Sequence, residues 1–357
     1  MTFKLLSKAA LALAAMGLCL SAASAAYKSE YKLSVVPGAS SGWGQTATFF
    51  ADCVRQKSNG RINIKPYFGA QLMAGKQTSE LLLVRRGAID FALASTINWS
   101  PQIKELNLTA LPFFVANNPD RYKAIDAIEA GKSGKMLEKA IEKTGVKFLG
   151  WSENGFRELT TSKGPIEKPE DMKGMKLRVC GTPIFIDIFS SLGANPQAIN
   201  WSEAVTGFQQ GIVDGQENPT NGINVPTKVW QWHKYTDWHY MIDPLFFTAN
   251  MKVWKEFSPE DQKLILSCAT EAEKYGKALS RLSNDNGQAY EYLKSINKLP
   301  AITNPKEELK KNGMTVTEYT PEMIKRFYEA TAGVRADWTQ KIGPNVVKAA
   351  EDMQAAK

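Results

Sequence analysis

Apolar and polar positions along the chain fall into short alternations separated by amphipathic runs. Residues 31–36 alternate as a first strand, and residues 37–44 follow as a Gly/Ser loop. Residues 45–57 place Ala47, Phe50, Ala51 and Val54 on one face, the period of a helix that Asn59-Gly60 closes. Ile62 and Ile64 mark a strand over 61–67, 79–86 a short helix stopped by Gly87, and 90–94 a strand apolar on both faces. The pattern resumes near Gly150. Residues 147–151 and 176–180 predict strands, 183–192 and 201–210 helices, and 212–214 a short strand before a turn. Such alternation predicts an α/β fold in two halves, each a sheet covered by helices.

The last third reads differently. Ser258-Pro259-Glu260-Asp261 is a strong helix start: a capping hydroxyl, proline in the first turn, then acids at the positive end of the dipole. No further proline occurs until Pro300, so 258–298 predicts one long helix that Gly276 and Gly287 weaken without ending. Thr320-Pro321-Glu322 repeats the start signal for a final helix.

The first residues carry a targeting pattern. Lys4 and Lys8 precede an apolar run over 9–20, too short to span a bilayer comfortably, and Ala23-Ser24-Ala25 offers small residues for cleavage before Ala26. Cleavage lowers the formal charge from +8 to +6, with 42 basic against 36 acidic residues. Those charges are interspersed, so the chain lacks the clustered basic face of a nucleic-acid binder. Three cysteines remain. An odd count argues against a disulfide framework and favours small buried apolar roles, with one bridge, Cys53–Cys268 or Cys180–Cys268, left open.

The chemistry concentrates between residues 150 and 219. Arg157, Arg178 and Asn218 stand there without a nucleophile–base pair, a metal-ligand cluster or a phosphate loop. Arginine grips a carboxylate or sulfonate with parallel donors and keeps its charge. In the KLRV segment Leu177 and Val179 point one way and Arg178 the other. A desolvated guanidinium needs an anionic partner, supplied by a guest or by an internal acid. His233 and His239 are six apart in a Trp-rich stretch, a spacing unsuited to zinc, so no metal and no cofactor are expected. The residues read as capturing a small acid rather than transforming one.

GRINIKPYFGAQL, RRGAIDFA, LPFFV, GFRELTTS, EDMKGMKLRV, LGANP and VDGQENP occur in this order. On them the chain resembles the DctP-type substrate-binding proteins of tripartite ATP-independent periplasmic (TRAP) transporters. The resemblance implies a two-lobed, hinged α/β binding protein with a long helix spanning both lobes. Residues 26–152 with 244–285 would form one lobe, and 153–243 with 286–357 the other. It implies a periplasmic location, a small organic acid as ligand, and one small and one large membrane subunit as partners. It makes Arg178 the main carboxylate ligand, with Arg157, Asn218 and Trp201 beside it. Trp43, Ser95, Asn98 and Trp99 would close the cleft from the other lobe, and His239 is a further candidate. Small mono- and dicarboxylates rank first as ligands and a hydroxyalkyl sulfonate such as isethionate next. A sensor for a membrane kinase and a secreted organic-acid enzyme are the competing readings.

Overall fold

The computed structural model describes residues 27–355, so the expected signal segment lies outside the described residues. Nine strands form one sheet: β1 (Tyr31–Ser34), β2 (Ile64–Tyr67), β3 (Phe91–Ser95), β4 (Val146–Thr161), β5 (Lys176–Val179), β6 (Asn195–Ala198), β7 (Gly215–Pro219), β8 (Tyr235–Asn250) and β9 (Thr315–Val316). Their order is β2-β1-β3-β8-β4-β7-β5-β6, with β9 beside β8. The parallel trio β2-β1-β3 stands at one end and β7-β5-β6 at the other.

The two 16-residue strands β4 and β8 join the ends by running antiparallel through the middle. β8 pairs β3 over Leu245 to Ala249, and β4 pairs β7 over Arg157 to Thr161. Their shared ladder slips in register between Phe148 and Gly150, Glu153 and Gly155, and Arg157 and Leu159. The central slip falls where Pro244, which has no N–H to give a ladder, sits opposite Glu153. Bulges of this kind bend a strand and re-aim its side chains. The sheet therefore turns midway along β4.

Several expected elements shift. Strand β4 continues ten residues beyond the predicted end at Trp151. Residues 212–214 form a turn, and the strand follows them as β7, whose residues Gly215, Gln216, Glu217, Asn218 and Pro219 are all buried. The long helix is Pro259–Arg281, 23 residues or about 35 Å. It ends as Leu282 turns extended, Ser283 takes φ +62° and Gly287 takes φ +84°; a second helix runs Gln288–Ser295. Three successive departures from helical backbone outweigh the lack of a proline. The Pro259–Arg281 helix still lies along β4. A Cβ on Gly150 would meet Ala269 at 3.6 Å, and one on Gly155 would meet Ser280 at 3.6 Å. Gly276 is the closest approach: a Cβ there would lie 2.3 Å from Ser152 Oγ and 2.9 Å from Thr46.

Cys53 and Cys268 are joined in a disulfide that ties the Gly42–Lys57 helix to the Pro259–Arg281 helix across 215 residues of sequence. Among the described residues Cys180 is the free, buried thiol. The odd count concealed a bridge because the third cysteine serves elsewhere. Among the described residues no helix is long and apolar enough to cross a membrane, and no group of acidic, His or Cys side chains could hold a metal ion.

Candidate functional site

Where β3, β4, β5, β7 and β8 converge, a small cavity of about 30 Å³ opens between the lobes. At roughly 10–15 Å³ for one water, that is room for two or three water-sized bodies. Arg178 reaches it from β5, Arg157 from β4, Asn218 from β7, and Trp201 from the start of the Trp201–Gln209 helix. Trp43, Ser95 and Asn98 line it from the other lobe.

The two arginines differ in kind. Arg157 is met by the protein itself. Glu217 takes it bidentately at Nε and Nη2 (2.8 Å for the latter), the Glu217 carbonyl accepts from Nη2 at 2.7 Å, and Asp243 Oδ2 lies 3.3 Å from Nη1. Tyr240 O–H donates to Glu217 at 3.0 Å, so the pair sits in a closed polar network. Burial opposes the charge on Arg157, but Glu217 beside it outweighs that and holds the guanidinium ionised.

Arg178 has no such partner. It is 1% exposed. Its Nε donates to the Ile199 carbonyl at 2.9 Å, and its Nη1 lies 3.8 Å from Cys180 Sγ. Its Nη2 is buried with no hydrogen-bond partner among the described residues. The guanidinium lies 5.4 Å from the Trp201 ring centre, an arrangement that steadies it without neutralising it. An ionised group held dry with an open donor is costly, and an anion in the cavity removes that cost.

The remaining lining residues divide by what they have left to offer. Asn218 uses Oδ1 to accept from Arg157 Nη2 at 3.1 Å and one N–H to reach Gln216, which leaves a second N–H for a guest. Ser95 O–H is engaged by Asp243 at 2.6 Å, and the Trp43 indole N–H by the Leu93 carbonyl at 2.7 Å, so Trp43 presents ring rather than donor. Asn98 accepts from Gln77 at 2.7 Å.

Two candidates lie elsewhere. Trp99 does not line the cavity. It is fully buried in the core, its N–H on Glu80 at 2.9 Å and its ring edge-on to Phe246 at 5.0 Å. Helical turns of the Thr96–Trp99 segment carry Asn98 to the cavity and Trp99 away from it. His239 lines a separate hollow of about 140 Å³ beside Arg121, Glu158 and Lys306, with Nδ1 2.9 Å from Glu158.

Four polar lining residues escaped the sequence reading. Gln77 spans the cleft: its amide donates to Asn98 while its oxygen accepts from the Trp201 backbone N–H at 2.9 Å. Asn154 donates to Asp243 at 2.8 Å. Asp243 itself was visible as a lone acid in the apolar run Tyr240-Met-Ile-Asp-Pro-Leu-Phe-Phe. Cys180, two residues after Arg178 and just past the end of β5, lies 3.8 Å from the Arg178 Nη1. Burial pushes the Cys180 thiol up despite the two arginines near it, and burial likewise pushes the Asp243 carboxyl up against the pull of Arg157, Asn154 and Ser95.

The fold is shared with known binding proteins. A TRAP periplasmic solute-binding protein from Ralstonia eutropha, solved with bound (S)-2-acetolactate, is 42% identical, with a TM-score of 0.84 over 93% of this chain and 100% of that one. The 2,3-diketo-L-gulonate-binding periplasmic protein YiaO of Escherichia coli is 30% identical over 231 residues, 64% of this chain and 68% of that protein. A Shewanella oneidensis TRAP solute-binding protein with bound succinate, 21% identical and covering 91% of this chain and 99% of its own, shares the fold at a TM-score of 0.78. These relatives are binding proteins, not enzymes. The family model for bacterial extracellular solute-binding proteins, family 7 (DctP), matches residues 33–305, and the chain belongs to that family.

Proposed function

We propose that this protein captures a small organic acid in the interlobe cavity, with the acid's head group on Arg178, and delivers it to the two membrane subunits of a TRAP transporter. The observation that carries the reading is the buried Arg178 guanidinium with an open Nη2. A bound carboxylate completes its hydrogen bonds, Asn218 adds its free N–H, and Trp201 covers the site. Delivery follows from lobe closure: contacts across the cleft, such as Gln77 to Trp201 and Ser100 to Thr182 at 2.8 Å, give the membrane partner a closed shape to recognise. Capture takes place in the periplasm, and uptake across the cytoplasmic membrane is driven by an ion gradient.

The Ralstonia relative at 42% identity holds a short, branched 2-hydroxy acid, and this supports a compact carboxylate as the guest. Mass spectrometry of ligand released from the purified protein, with a thermal-shift series of carboxylates and sulfonates, tests the reading. Stabilisation by a compact acid is expected. A response to isethionate alone moves the assignment to sulfonates, and no response to any anion overturns it. Loss of uptake in cells lacking the membrane subunits separates transport from signalling.

A further inference from the structure

We infer that the cavity selects acids carrying a single negative charge, and that Asp243 is the residue that rejects a second one. The inference rests on the reading that Arg178 anchors an acid.

The charged side chains lining the cavity, among the described residues, are Arg157, Arg178 and Asp243. Arg178 accepts one anionic head group. Arg157 is already shared by two carboxylates, Glu217 and Asp243. That end of the cavity therefore carries one more negative charge than positive before any ligand arrives. Asp243 is 1% exposed and its carboxylate already draws donors from Ser95 and Asn154. Burial holding its pKa up is the sign of a negative charge the site tolerates poorly. A second ligand carboxylate would be the third anion around one guanidinium, in a cavity of about 30 Å³ too small for bulk water to screen it. Like charges brought together in such surroundings are strongly disfavoured.

The rest of the wall suits an uncharged tail. Val36, Pro37, Ile97 and Ile223 present apolar surface, and the Asn98 amide serves a hydroxyl or carbonyl oxygen. The class this describes is a short monocarboxylate with methyl and hydroxyl or oxo groups. C4-dicarboxylates, which carry a second charge, are refused.

Calorimetric titration at pH 7.5 against isosteric pairs tests this. For each singly charged acid that binds, the partner replaces a methyl or amide group by a carboxylate oxygen: 2-acetolactate against 2-hydroxy-2-methylmalonate, 4-oxopentanoate against succinate, succinamate against succinate. The singly charged member is expected to bind at least about 100-fold more tightly, and Asp243→Asn to narrow that ratio below about 10-fold by raising affinity for the dianion. Dianions that match or exceed their partners on the wild type overturn the selectivity alone. An unchanged ratio in a folded Asp243→Asn variant overturns the role of Asp243. If Asp243→Asn does not fold, the wild-type pairs still decide the charge selectivity. Failure of every acid, singly or doubly charged, overturns the reading of Arg178 and this inference with it.

Discussion

Replacing Arg157 and Arg178 by methionine, one at a time, should give opposite results. Methionine keeps the length and much of the volume while deleting the charge. In Arg178→Met the unliganded protein loses one hydrogen bond to the Ile199 carbonyl, about 0.5–1.5 kcal/mol, and the contact of the guanidinium with Trp201. Against this it no longer buries a charge with an unfilled Nη2. Unfolding free energy should stay within about 1 kcal/mol of wild type or rise. Binding should collapse, because two charge-assisted hydrogen bonds to the acid, about 1.5–3 kcal/mol each, disappear together. That is roughly 3–6 kcal/mol, a 100- to 10,000-fold loss. In Arg157→Met the buried Glu217 and Asp243 carboxylates lose their shared counter-charge. Breaking a buried pair from one side costs about 3–5 kcal/mol of stability. Urea unfolding without ligand, followed by calorimetric titration, reads both quantities. Near-normal affinity in Arg178→Met, or unchanged stability in Arg157→Met, refutes the division of labour between the two arginines.

Other consequences follow from the packing. Gly276→Ala raises helix propensity yet should destabilise by about 1–3 kcal/mol in a thermal melt, since its methyl would meet Ser152 and Thr46. Reduction, or Cys53→Ser with Cys268→Ser, should cost about 2–5 kcal/mol of unfolding free energy while leaving ligand preference unchanged, because the bridge joins two helices and does not line the cavity. His233 is 1% exposed, its Nδ1 2.9 Å from Thr160 Oγ1, and burial lowers its pKa from 6.5 to about 4. The unfolded chain therefore binds the proton first as pH falls. The stability of neutral His233 is complete above pH 6.5 and is lost between there and pH 4, on the order of 3 kcal/mol. His233→Gln should flatten that limb of a stability–pH curve, and an unchanged slope would assign it to other groups.

The order of strands and helices was legible where the burial pattern is simple. Residues 31–36, 45–57 and 176–180 alternate or repeat as the structure requires. Arg178 was legible for the same reason: a charge between two core residues in a short strand has few places to go. Two strands that build the site, β7 and the second half of β4, were not. β7 reads as a polar turn because Gln216, Glu217 and Asn218 are buried as network members instead of as apolar packing. β4 beyond Trp151 places Glu153, Asn154, Arg157 and Glu158 in buried positions for the same reason. Hydrophobic periodicity fails where a strand's neighbours are hydrogen-bond partners. Trp99 read as a cleft residue because the family resemblance places the segment 95–99 there, but Glu80, a buried acid 19 positions earlier, accepts its N–H in the core. Arg157 read as a second donor beside Arg178, and the position of Glu217 in space is what shows it already paired.

A crystal structure of the protein with its co-purified ligand tests the central claim most directly. The account predicts an acid head group within about 3 Å of Arg178 Nη2, with Arg157 still held by Glu217 and Asp243. A ligand whose charge rests on Arg157, or an Arg178 paired with one of the protein's own carboxylates, would contradict it.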